Sequence, residues 1–253
     1  MRISLTKKWQ YGGLAALAAT TIAVSAIALA PEPGLVPVAL SAPESSGTQA
    51  GTPETPTSVT AKRNTGPSLR TLFAGDSLTG ALYASEQVKG FKWLMLDKLE
   101  QTGPIEEFNS AISGGTTLDV SAKYEVPAEL DLAVVELGTN DLGNATPLSD
   151  FSTAYDSLLD RITNGSPGVA LVCAGVWEGG GGGPEGPAYD RVVANLCDEH
   201  GGVFVSLRKL YQNPATIGPA GVPAFTGNSD MFHPNDAGHR AIADALLERI
   251  KVA

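Results

Sequence analysis

The sequence predicts an α/β fold, a three-layer α/β/α sandwich around a five-stranded parallel sheet. Three observations lead there. After Leu69, short apolar runs alternate with amphipathic segments, the signature of strand–helix–strand crossovers. DLAVVELG at 131–138 is almost continuously apolar, as a strand covered on both faces must be. With 253 residues and 43% hydrophobic content, the chain can bury one core of moderate size, built on Val, Leu, Ile and Ala because aromatics supply only 6%.

Taken in chain order, residues 1–30 read as a targeting segment. Arg2, Lys7 and Lys8 form a positive flank, and Leu14 to Ala30 run without a charge, the layout of a secretory signal peptide. The run sits at the lower edge for a bilayer span, so a retained N-terminal membrane anchor stays open beside a cleaved signal. Cleavage after Ala30 suits the small-residue rule, but Pro31 opposes it; a cut near Ser41 is the alternative. Residues 31–68 are dominated by Pro, Ser, Thr, Gly and Ala. They hold too little apolar surface to order themselves and are expected to be a disordered tether, with the folded domain spanning 69–253.

Within that domain, TLFAGDS at 71–77 reads as a strand ending at Ser77, and Gly80 to Glu100 as a helix. FNSAISG at 108–114 and DLAVVELG at 131–138 are the second and third strands, and Asp150 to Ile162 is helical. GVALVCAGV at 168–176 is the fourth strand, followed by a glycine-rich loop and a helix near Tyr189 to Glu199. GVFVSLR at 202–208 is the fifth, and Asp236 to Ile250 closes the chain as a helix.

The net charge of −10 argues against nucleic acid as a partner, because phosphate binding needs clustered Lys and Arg. The chain's two cysteines, Cys173 and Cys197, lie in the part expected to be exported, where a disulfide can persist; two buried thiols are the alternative. A bridge closing that loop would contribute ~3.5 kcal/mol in the chain-entropy model. Oligomeric state is not legible.

In an open parallel sheet, ligands bind beyond the carboxyl ends of the strands. Gly75-Asp76-Ser77-Leu78, Ser113-Gly114-Gly115 and Gly138-Thr139-Asn140-Asp141 end the first three strands, and Trp177 with its glycine run follows the fourth. Features scattered along the sequence therefore converge on one edge. A serine becomes a nucleophile only when a base takes its proton and a partner fixes that base's tautomer. Of the three histidines, His200 sits at a helix end before two glycines and reads as structural. His239 lies inside the last helix and reads as packing or surface. His233 stands in the loop SDMFHPND with Asp230 three residues earlier, so the carboxylate can hold one ring nitrogen while the other faces Ser77. On spacing alone, a solvated loop histidine is the commoner explanation.

GDSL at 75–78, the glycine of NSAISGGTT at 109–117, GTND at 138–141 and DMFHP at 230–234 resemble, in order, the four sequence blocks of the SGNH (GDSL-type) hydrolase family. The resemblance covers about residues 70 to 251. It implies a flavodoxin-like five-stranded sheet and carboxylic ester hydrolysis. Ser77 would be the nucleophile, His233 its base, and Asp230 the group that orients the base. The backbone N–H groups of Ser77 and Gly114 and the amide of Asn140 would form the oxyanion hole. Activity is then expected to fall in mild acid, since only a neutral imidazole accepts the serine proton. Asp76 is expected to shape the turn, Asp141 to bind loop backbone, and Glu136 to support the site from behind. Trp177 is either core or a platform in the substrate cleft, and Gly179 to Gly183 are either a spacer or a mobile cleft wall.

No cofactor is expected. A metal-dependent phosphoesterase would need more His and Asp groups than the domain supplies around Asp76, Asp141 and His233. An O-acyltransferase acting on cell-envelope carbohydrate would share the acyl-enzyme, and a non-catalytic cell-surface binding module would keep only the fold. The absence of a long insertion after Leu69 favours a small-molecule or glycan ester with a short acyl group over a lipid, and the leader points to a secreted or envelope-anchored protein.

Overall fold

The computed structural model describes residues 57–178 and 186–253. In chain order the elements are β1 (Val59–Ala61), β2 (Leu69–Gly75), α1 (Phe91–Glu100), β3 (Ile105–Ala111), α2 (Thr117–Lys123), β4 (Leu132–Glu136), α3 (Thr139–Gly143) and α4 (Leu148–Gly165). They continue with β5 (Ala170–Ala174), α5 (Gly186–Glu199), β6 (Val203–Val205), α6 (Arg208–Tyr211), β7 (Pro223–Ala224), β8 (Gly227–Asn228), α7 (Asp236–Leu247) and β9 (Ile250–Val252). Five strands pair in the order β3-β2-β4-β5-β6, all parallel, as the sequence predicts.

Strand periodicity explains the three layers. Successive side chains point to opposite faces. Phe73 of β2, Leu132 and Val134 of β4 and Val172 of β5 enter one core with α1 and α7. Leu72 and Ala74, Ala133 and Val135, and Leu171 and Cys173 enter the other with α4 and α5. Both faces are covered, hence the nearly unbroken apolar runs at 131–138 and 168–176. Cys173 and Cys197 form a disulfide with Cα atoms 6.2 Å apart, tying β5 to α5.

The structure corrects three expectations. The helix read over Gly80–Glu100 is α-helical only from Phe91, after a single 3-10 turn at Gln87–Lys89. Ala81 (φ 59°) and Tyr83 (φ 62°) are left-handed, and a Cβ on Gly90 would lie 2.3 Å from that of Ala81, so the segment folds as tight turns. Its backbone is satisfied from the other end of the chain: Tyr83 N–H donates to Thr226 Oγ1 and Phe225 N–H to Ala84 O. The last helix stops at Leu247, and Ile250 begins β9, which pairs in parallel with β1. The tether read over 31–68 therefore ends too late. Val59 and Ala61 are buried in the core, and a three-residue strand is too short to show periodicity. The leader at 1–30, the rest of the tether before Thr57 and the glycines at 179–183 lie outside the described residues.

Candidate active site

After β2 the chain adds β3 on one side and then β4 on the other. The loops that follow these strands diverge, which opens a crevice above the end of β2. Gly75 closes that strand because a Cβ there would sit 1.9 Å from Thr79 Oγ1. The turn beyond it is fixed by Leu78 N–H donating to Asp76 Oδ1 (3.0 Å) and Leu82 N–H to Ser77 O (2.9 Å). Ser77 is thus held on a tight turn with its side chain at the crevice.

Ser77 Oγ lies 3.1 Å from His233 Nε2, and His233 Nδ1 lies 2.7 Å from Asp230 Oδ2. Asp230 Oδ1 accepts the backbone N–H groups of Phe232 (2.9 Å) and His233 (2.7 Å). Burial raises the Asp230 carboxyl, but those N–H groups and the His233 ring outweigh it and hold it below the ordinary value. An ionised Asp230 accepts only, so the ring proton belongs on Nδ1 and Nε2 is left to accept from Ser77. The ring stands edge-on between Tyr83 and Phe232, with centroids 5.1 Å from each.

The loop carrying His233 is pinned from behind. Trp177 Nε1–H donates to Phe232 O (2.8 Å), and Trp177 N–H to Thr139 Oγ1 (3.0 Å). Trp177 is 0% exposed, so it is a core residue and not a platform in the cleft. Asn235 caps α7 by accepting from Gly238 N–H, while its amide donates to the carbonyls of Ala215, Ile217 and Gly218.

Gly114 adopts φ +75° beyond β3, where its surroundings are open, so glycine is required there by conformation and not by crowding. Among the described residues, neither its N–H nor that of Ser77 has a hydrogen-bond partner. Asn140 sits beside both, but Nδ2 donates to Asp76 Oδ2 (2.9 Å) and Gly115 O (3.0 Å). Its amide is therefore engaged, where the sequence suggests a free donor. Asp141 Oδ2 accepts both N–H and Oγ1–H of Thr117 (2.9 Å each), which locks α2 to α3 and the two loops to one another. Burial raises the Asp141 carboxyl, and the Thr117 donors oppose the shift.

The other histidines serve the fold. His239 is buried against Phe91, accepts Phe91 N–H at Nδ1 and is pushed down to about 4 by burial. His200 Nε2 meets Asp156 at 2.8 Å. Sequence reasoning missed Tyr83 and Phe232 as walls around the His233 ring; nothing in the local sequence of Tyr83 marks it, because its backbone geometry is imposed by the loop at 225–226. Among the described residues, no group of three or more His, Cys, Asp or Glu side chains is arranged to hold a metal ion.

Residues 73–241, which include Ser77, Gly114, Asn140, Asp230 and His233, match the GDSL-like lipase/acylhydrolase family. The protein belongs to that family. This GDSL-like acylhydrolase is accordingly a carboxylic ester hydrolase. Its fold is shared with Axe2, an acetylxylan esterase from Geobacillus stearothermophilus, at TM-score 0.57 and 22% identity over 73% of this chain and 94% of that one. TesA superposes with TM-score 0.56 at 18% identity, covering 71% of this chain and 97% of its own. EstA, a psychrotrophic esterase from Pseudoalteromonas sp., gives 0.54 at 18% identity over 72% and 96%. No curated protein sequence matches the hydrolase chain.

Proposed function

We propose that the hydrolase is an exported serine esterase that cleaves short-acyl or acylated-glycan esters through an acyl-enzyme on Ser77. The observation that carries this is the hydrogen-bonded chain from Ser77 Oγ to His233 Nε2 (3.1 Å) and from His233 Nδ1 to Asp230 (2.7 Å), along which only the Ser77 proton moves, onto the imidazole. Ser77 Oγ attacks the ester carbonyl as His233 takes its proton, and the imidazolium returns it to the leaving alcohol. Water activated by the same ring then releases the acyl group, regenerating the free serine. The partner-free N–H groups of Ser77 and Gly114 receive the oxyanion, and the Asn140 hydrogen now on Gly115 O turns toward it as charge develops. Likeness to an acetylxylan esterase and the absence of a long insertion after Leu69 support short acyl groups on glycans. The leader at 1–30 supports a secreted or envelope-anchored location.

A panel of p-nitrophenyl esters and acetylated polysaccharides, assayed with wild type and Ser77→Ala, tests the reading. Acetate should turn over faster than palmitate, and Ser77→Ala should abolish both. The opposite chain-length preference would reject the short-acyl assignment. Release of free acid in the presence of sugar acceptor marks hydrolysis, whereas acyl-sugar as the main product would make the protein a transferase.

A further inference from the structure

Asp76 and Glu136 meet beneath the nucleophile. Glu136 ends β4 opposite Gly75 in the sheet register, so its side chain reaches the turn that carries Asp76. Both carboxyls are essentially inaccessible, and among the described residues neither is in an ion pair with Lys or Arg. Three of the four oxygens have conventional donors. Asp76 Oδ1 accepts Leu78 N–H, Asp76 Oδ2 accepts the Asn140 amide, and Glu136 Oε2 accepts Thr79 Oγ1–H (3.0 Å). Glu136 Oε1 is buried with no donor. Two carboxylates in contact in a dry interior cannot both stay ionised. Each Asp76 oxygen already faces an N–H, so a proton there would point at a donor; Glu136 Oε1 alone is free to carry one.

We propose that Glu136 is protonated at neutral pH and donates this proton to Asp76, so that the pair holds one negative charge and positions the Ser77 turn and the Asn140 amide. Its catalytic consequence rests on the esterase reading above; the protonation state does not. Burial acts on both groups in the required direction, lifting Asp76 to about 7 and Glu136 well above its ordinary value, the latter also through the Asp76 charge. The other groups facing the pair include no Lys or Arg: they are Asp141 from α3, the buried Tyr155 hydroxyl from α4, Thr79, and Ser77 with His233 beyond it. With Glu136 neutral, Asp76 can remain the ionised acceptor that holds one Asn140 N–H and so fixes the amide in place. A second charge there would oppose the oxyanion.

Glutamine reproduces a protonated Glu136, since its oxygen can accept from Thr79 while its amide donates to Asp76. Infrared difference spectra of wild type against Glu136→Gln at pH 7 should contain the C=O stretch of a protonated carboxylic acid, lost in the variant; its absence overturns the proposal whatever the enzyme's activity. Glu136→Ala should lower kcat roughly 10- to 100-fold by misplacing the donors, and Glu136→Gln should recover most of that loss. Asp76→Asn, which aims an amide at two donors, should not. Should Asp76→Asn prove the better tolerated, the proton resides on Asp76 and the assignment fails. Unfolding of wild type relative to Glu136→Gln should become easier by up to about tenfold per pH unit above ~4.3, because the folded Glu136 keeps a proton that the unfolded chain gives up. A pH-independent difference between the two would likewise refute a folded-state proton. The spectral and stability measurements stand even if no ester is turned over, so a failed function and a failed proton assignment give different results.

Discussion

Asp230→Asn is the sharpest probe of the proposed proton path, because the carboxylate is asymmetrically occupied. Oδ1 accepts two backbone N–H groups at 2.7 and 2.9 Å, and Oδ2 accepts His233 Nδ1–H at 2.7 Å. An asparagine amide cannot turn its NH2 toward Oδ1's position without facing two donors. It must place its oxygen there and its NH2 against Nδ1, where a lone pair is then demanded. The ring proton moves to Nε2, and the nitrogen facing Ser77 can no longer accept. Loss of the correct tautomer together with the imidazolium's counter-charge costs on the order of 10⁴ in kcat for a serine triad. That equals about 5.4 kcal/mol of barrier. Initial rates on p-nitrophenyl acetate, with thermal melts to confirm folding, measure it. Asp230→Ala leaves the ring free to choose its tautomer, so Asn should be no better than Ala. A well-folded Asp230→Asn enzyme within about tenfold of wild type would refute the tautomer argument and the role of Asp230 with it.

Four further outcomes follow from the packing. A chain starting at Leu69 should be less stable than one starting at Thr57 by roughly 2–3 kcal/mol, since it loses the burial of Val59 and Ala61 and the pairing with β9; equal denaturant midpoints would contradict the placement of β1. Gly138→Ala should destabilise by roughly 1–3 kcal/mol and impair turnover, because φ is +111° and the new Cβ would lie 2.9 Å from Val176; an unchanged Tm would count against that conformation. His239, held neutral down to about pH 4, should make stability fall as pH drops from ~6.5 toward 4, since the unfolded chain binds the proton more readily. Melts of His239→Gln should show a shallower decline over that window. Trp177→Phe should keep the fold but lose the anchor on Phe232 O, lowering kcat roughly tenfold through a looser His233; full activity would show that the loop holds itself.

The sheet was legible because β2, β4 and β5 are largely buried on both faces and so carry short, mainly apolar runs. The crevice was legible for a related reason. Each of Gly75, Gly114 and Gly138 marks a place where a strand end must turn sharply, and polar residues follow at once. What the sequence hid is governed by contacts over long separations. Residues 80–86 have helical composition, yet Thr226, Phe225 and Asp236 take backbone donors and acceptors of residues 83–85 and hold the segment as turns. β1 carries only two buried residues and exists because β9 offers it an edge. The engagement of the Asn140 amide could not be read either, since it depends on Asp76 and Gly115 arriving from two other strands.

The topology divides the chemistry between the ends of the domain. Ser77, the proposed nucleophile, follows the first strand of the main sheet, while His233, its proposed base, lies on a loop 156 residues later, and no backbone element joins them. Their 3.1 Å separation is set by intermediaries: Trp177 after β5 grips Phe232, Asn235 grips the 215–218 loop, and residues 225–226 grip 83–84. The first two links begin beside elements packed into a core, β5 and α7, whereas residues 225–226 are exposed. A hydroxyl–imidazole contact costs side-chain entropy that a loop alone would not repay. Geometry at the site is therefore a property of the assembled cores, and anything that loosens β5 or α7 should weaken turnover before it unfolds the sheet.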